Sequence, residues 1–157
     1  MKQNGGWIAA MADTLTCEIM CTMSGIRLSR CCIPVPEDTK MAAVCASVTG
    51  QAYNMQLRFL AEPKMFRRLA RNMIGSEPES DEDVSDYASE FFNVLCGRFV
   101  SELCRITHMP ARFTPTRYES VPGPFDEGMG VHTLHFVSEE CERAQFSWSA
   151  SRAITRS

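Results

Sequence analysis

The sequence predicts an α+β fold, a largely antiparallel sheet of about five to six strands covered by three main helices. Three observations carry that prediction. Apolar residues recur at helical spacing in three stretches, and elsewhere they alternate strictly with polar residues, the period of a half-buried strand. The stretches also follow one another as helix, hairpin, two helices, strand and hairpin. That order lacks the strand–helix alternation of a parallel sheet.

The first helix spans Trp7 to Met23, where Ile8, Met11, Ala12, Leu15, Ile19 and Met23 share a face and Gly25 marks the stop. From Ser24 to Lys40 the chain reads as irregular, held extended by Pro34 and Pro36. A hairpin follows, with Met41 to Val48 as one arm and Thr49-Gly50-Gln51 as the turn. In its second arm Tyr53, Met55, Leu57 and Phe59 alternate with Asn54, Gln56 and Arg58. Glu62-Pro63 opens a second helix, with Pro in the first turn where a missing N–H costs least. Phe66, Leu69, Ala70 and Met73 form its apolar face, Arg67, Arg68 and Arg71 point largely elsewhere, and Gly75 ends it.

The acidic stretch Ser76 to Asp86 leads into the longest helix, about Asp81 to Ile106. Ser80 is placed to cap it, and acids in a first turn suit the helix dipole. Arg112 to Tyr118 is a strand interrupted by Pro115, which puts it at an edge or a bulge. Ser120 to Gly130 is a Gly/Pro-rich loop, and Val131 to Val137 with Ala144 to Ala150 make a second hairpin. Ser151 to Ser157 reads as a frayed tail, and residues 1–157 as a single domain.

Composition narrows the function. The chain has 157 residues, 45% hydrophobic and 22% charged, enough to bury roughly 70% of its unfolded surface without a disulfide or metal. A net charge of −3 argues against nucleic-acid backbone binding. No apolar run reaches the roughly 20 residues of a membrane span, and no signal peptide is evident, so the expected location is cytoplasmic. The eight cysteines include no CxxC pair and read as free thiols. Cys17 and Cys21, one helical turn apart, read as small buried residues rather than a metal or redox pair. His132 and His135 fall on opposite faces of a strand and make a poor chelate. Phosphate loops, dinucleotide fingerprints, nucleophile elbows and zinc-helix motifs are all missing from the sequence.

The long helix is the informative element. At about 100° per residue, Val84, Ala88, Phe91, Phe92, Leu95, Phe99 and Leu103 gather on a core side, with Phe92 at its margin. The opposite side carries Asp86, Glu90, Asn93, Gly97 and Ser101. Glu90 and Asn93 are neighbours on that face. A mid-helix Gly costs about 1 kcal/mol relative to Ala, and close approach of another backbone is the usual reason to keep one. A polar helix face with a bare step in it has the form of a docking ridge.

Asp86-x-x-x-Glu90-x-x-Asn93-x-x-x-Gly97 resembles the signature helix of the CheC/CheX/FliY phosphatases of bacterial chemotaxis. The likeness runs from Met41 to Leu103 and takes in the Thr-Gly hairpin, the helix ending Met73-Ile74-Gly75, the acidic linker and Ser101-Glu102-Leu103; Pro115-Thr116 falls at the family's next strand. Within the family the chain is most similar to CheX, because Glu18 in the first helix is followed at the third position by Cys21 rather than Asn, leaving one candidate site.

The resemblance implies a CheC-like fold and a phosphatase acting on the phospho-aspartate of a CheY-like receiver domain. It implies that the Asn93 amide orients the attacking water, while Glu90 docks the receiver's active-site lysine. Asp86 supports the helix start or the docking, and Gly97 lets the receiver approach. It implies no cofactor or metal of the chain's own, the receiver supplying Mg²⁺, and a homodimer formed through exchange or edge pairing of the second hairpin. Arg98 departs from the family pattern. It stands beside the ridge, where it either hinders a partner or contacts the partner's acidic face. The alternative reading is a non-catalytic module of the same fold that binds a receiver or a flagellar-switch partner.

Overall fold

The computed structural model describes residues 4–125 and 130–152. Three helices, α1 (Asn4–Ser24), α2 (Pro63–Ile74) and α3 (Asp81–Thr107), accompany seven strands. The strands are β1 (Leu28–Arg30), β2 (Ala42–Gly50), β3 (Tyr53–Ala61), β4 (Ala111–Phe113), β5 (Arg117–Glu119), β6 (Val131–Ser138) and β7 (Arg143–Arg152). They form one sheet in the order β1-β6-β7-β3-β2-β4, with β5 also on β2, and every pairing is antiparallel. The α+β class and the three helices agree with the sequence.

The sheet has more strands than expected, for two reasons. β1 lies in the stretch read as irregular; at three residues it is too short to show a period, and only its pairing with Phe136–Ser138 makes it a strand. The strand around Pro115 is two pieces, β4 and β5, both on β2. Gly25 and Gly75 end α1 and α2 with φ of 73° and 90°, a left-handed conformation that Gly adopts without strain. β7 continues to Arg152, where the sequence reading has the tail begin at Ser151; residues 153–157 and 126–129 lie outside the described residues.

The helices bury their apolar stripes against one face of the sheet. Phe59 of β3 meets Phe91 of α3 and Phe66 of α2 edge-on, at centroid distances of 5.2 and 6.0 Å. Phe146 of β7 packs on Phe92 and Phe99. Phe92 is fully buried rather than marginal, because β7 is a central strand lying beneath it. The opposite sheet face is polar, with hydrogen bonds Ser47–Gln56 at 3.0 Å and Thr133–Ser147 at 2.9 Å.

Arg68 departs from the outward placement expected for the α2 arginines. It is buried, its guanidinium bound by the buried carboxylate of Glu142 and by Glu139 and Glu140 at 2.9 and 2.8 Å. This knot ties α2 to the β6–β7 turn, where Glu139 also accepts a hydrogen bond from the Arg27 backbone N–H. Its partners lie more than seventy residues away in sequence, so helical periodicity gave no sign of it.

Candidate functional site

α3 is fixed in rotation and at both ends. The Ser80 side chain accepts a hydrogen bond from Asp83 N at 3.2 Å, and the Asp83 carboxylate accepts one from Glu79 N at 3.1 Å. The first bond satisfies a donor that a helix start otherwise leaves open, and the second ties the preceding residue to the first turn. At the other end His108 takes the left-handed conformation, φ 57°, and its N–H reaches Cys104 O. Between the caps Val84, Ala88, Phe91, Phe92, Leu95, Phe99 and Leu103 are all buried. That stripe leaves Asp86, Glu90, Asn93 and Gly97 turned away from the core.

Asp86 and Glu90 are exposed, while Asn93 and Gly97 are half-buried. Glu90 and Asn93 lie on one face, about 5–6 Å apart at Cβ. Among the described residues neither the Asn93 amide nor the Glu90 carboxylate has a hydrogen-bonding or ion-pairing partner. An amide there can donate and accept at once, which a carboxylate cannot.

The ridge has two walls. On one side runs Phe113 to Thr116, the segment joining β4 to β5. The Phe113 ring edge lies 3.9 Å from where a Cβ on Gly97 would stand, and the Thr116 hydroxyl donates to Ser89 O at 3.1 Å. On the other side Arg98, with its side chain 52% exposed, reaches Glu18 of α1 at 3.7 Å. Glu18 is the carboxylate that stands three residues before Cys21 along the α1 face read as lacking a second Asn. An exposed pair of this kind contributes little stability.

Gly97 lies in the interior of α3. The nearest atom to a Cβ there is the Phe113 ring carbon at ordinary van der Waals distance, and no backbone lies within 4 Å. Among the described residues, packing within the chain therefore does not require this glycine.

The other candidate groups do not assemble. All eight cysteines are free. Cys21 is exposed and Cys17 half-buried, not both buried as expected, because the buried stripe of α1 runs through Ala12, Leu15, Thr16, Ile19 and Met20 and leaves Cys21 outside it. Burial and the neighbouring Asp13 push the Cys17 thiol up to about 11, and burial with Glu119 does the same for Cys45, so neither is an activated thiolate. His132 stacks on Trp148 at 5.3 Å, whereas burial and the nearby Arg143 and Arg30 lower the His135 pKa. Among the described residues no cluster of three or more His, Cys, Asp or Glu has the arrangement of a metal site. No helix of the described residues is long and apolar enough to cross a membrane.

Sequence reasoning missed the wall facing Asn93. Thr116 figured there only as a marker of the next strand, though Pro115 did signal an irregularity at that point.

The family model described as chemotaxis phosphatase CheX matches residues 42–118, the span from β2 through α3 to β5. No curated protein sequence matches the chain. Among solved structures, a CheX chemotaxis protein from Desulfovibrio desulfuricans aligns with a TM-score of 0.77 at 17% identity, covering 92% of this chain and 99% of that one. CheX from Borrelia burgdorferi, solved as a complex with CheY, BeF3 and Mg²⁺, aligns with a TM-score of 0.73 at 14% identity over 90% and 96% of the two chains. Thermotoga maritima FliY aligns with a TM-score of 0.64 at 15% identity over 94% and 87%. At such identities the likeness is one of fold.

Proposed function

The chain belongs to the CheX family of chemotaxis phosphatases, and on that basis we propose that it hydrolyses the phospho-aspartate of a CheY-like receiver domain. The observation that carries the reading is the α3 ridge. It offers a carboxylate and an amide one turn apart that have no partner among the described residues, followed by a glycine that packing among those residues does not need. The Borrelia CheX of similar fold, solved in complex with CheY, supports a CheY-like partner.

An acyl phosphate is reactive already, so the protein's part is to position water. In this reading the Asn93 amide accepts a hydrogen bond from a water and holds its oxygen in line with phosphorus. The new P–O bond forms as the bond from phosphorus to the aspartyl oxygen breaks. The products are inorganic phosphate and a free carboxylate. The Glu90 carboxylate pairs with the receiver's active-site lysine and sets the docking angle. Asp86 extends the acidic face of the ridge, and Gly97 admits the receiver's backbone. The chain brings no cofactor of its own; the receiver carries the Mg²⁺.

The exposed Arg98 guanidinium favours a second reading, a docking module that binds a receiver or a flagellar-switch partner without turnover. The cytoplasm, where receivers reside, is the proposed location. A homodimer is proposed through β6 alone. β7 is paired on both sides, whereas β1 covers only the last three residues of β6 and leaves the edge open from Val131 to Leu134.

The test uses a receiver charged by a small phosphodonor in Mg²⁺, with phosphoryl loss followed with and without the protein. Acceleration supports the phosphatase. Binding without acceleration, across the receivers of the same genome, favours the docking module.

A further inference from the structure

The segment between β4 and β5 contains one residue more than its partner strand allows. Val48 pairs with Phe113 and Cys45 with Arg117, so two residues of β2 face three, Thr114 to Thr116. This is a β-bulge, and Pro115 suits it because a bulged residue has no ladder bond to lose. The extra residue changes which side chains face the helices. Val48 and Val44 both point to the core, and their partners Phe113 and Tyr118 point there with them, although five positions separate the two. In an unbulged strand Pro115 and Arg117 would share the Phe113 face. The bulge presents Thr116 to α3 instead.

The hydroxyl lands on a particular carbonyl. Ser89 O accepts from Thr116 Oγ1 at 3.1 Å. In the α-helical repeat the same carbonyl accepts the backbone N–H of Asn93. The segment is itself anchored, since Thr114 N donates to Ser47 O at 2.8 Å and Thr114 Oγ1 accepts from Ser47 N at 3.0 Å. One turn beyond Asn93, the Phe113 ring closes on Gly97. The bulge therefore touches α3 on both sides of Asn93 and joins that turn to the sheet.

We propose that Thr116 is a positioning residue for Asn93, its hydroxyl bracing the turn of α3 that carries the amide. The inference rests on the phosphatase reading above. An amide that works only by orienting water is sensitive to small displacement, and a misplacement of about 1 Å can cost on the order of 100-fold in rate.

The test compares Thr116→Val, which keeps the shape and removes the hydroxyl, with Thr116→Ser, which keeps the hydroxyl. Four readouts are taken: kcat and KM for receiver dephosphorylation, amide hydrogen exchange at Asn93, and the melting temperature. The expected result for Thr116→Val is a kcat about 10-fold lower or less, with KM unchanged, and faster exchange at Asn93. Thr116→Ser restores both. Wild-type kcat in Thr116→Val, equal loss in both variants, or loss that only follows a fallen melting temperature overturns the brace. Asn93→Ala separates the two readings. If it abolishes turnover while Thr116→Val keeps the wild-type kcat, the brace alone fails; if it leaves turnover intact, the phosphatase reading fails and the brace with it.

Discussion

Replacing Gly97 with Ala separates what the helix needs from what a partner needs. A glycine inside a helix is about 1 kcal/mol less favourable than alanine. The added methyl would meet the Phe113 ring carbon at 3.9 Å, an ordinary contact, with no other atom within 4 Å. No steric term offsets the gain in propensity, so Gly97→Ala should stabilise the isolated protein by up to about 1 kcal/mol. For a chain of this size that raises the melting temperature by roughly 2–4 °C. If the α3 ridge docks a receiver as proposed, the same methyl stands in its way, so receiver dephosphorylation should fall through a raised KM. The assay is a melting curve and a urea titration on the free protein, set beside steady-state dephosphorylation. A destabilised variant would show that α3 needs the glycine for its own packing. A stabilised variant with unchanged KM would show that the bare step has no part in docking. Either result refutes the argument that the partner explains the glycine.

Further predictions concern the rest of the molecule. Arg68→Ala leaves the Glu142 carboxylate buried without its partner and should cost about 3–5 kcal/mol, read by denaturant unfolding; a loss below 1 kcal/mol would mean that the knot is structurally idle. The Glu139 carboxyl is raised by burial, but hydrogen bonds from Arg68 and the backbone outweigh this and hold it below its ordinary 4.5. A depressed carboxylate stabilises the fold above its unfolded pKa and loses that contribution as pH falls through the folded value. Unfolding free energy should therefore drop below about pH 4.5, and the acid limb should flatten in Glu139→Gln. Arg98→Ala removes only an exposed pair with Glu18, so stability should change by less than about 0.5 kcal/mol. Its effect on KM shows whether Arg98 contacts the receiver or obstructs it: a rise means contact, a fall means obstruction.

The parts of the fold legible in the sequence were those with a long period. α2 and α3 have a pattern running over several turns and an identifiable cap, and both lie within a residue or so of the expected bounds. β3 and β7 show an alternation that a half-buried strand imposes. What escaped notice depends on tertiary partners. β1 has three residues and exists through β6. Arg68 is buried because acids more than seventy positions away meet it. The candidate site divides in the same way. Asp86, Glu90, Asn93 and Gly97 share a face of one helix, which spacing alone reveals. Thr116 reaches that helix through a bulge, and although Pro115 marks the place, the sequence does not say which residue turns inward.

The central claim is that Asn93 supplies catalysis and not affinity. It is tested most directly by measuring Asn93→Ala twice, for turnover of a phosphorylated receiver and for binding to the same receiver held in a beryllofluoride state. The account predicts receiver phosphoryl loss at the spontaneous rate with a dissociation constant near that of the wild type. Turnover at the wild-type rate, or a loss of turnover fully matched by a loss of binding, would contradict it.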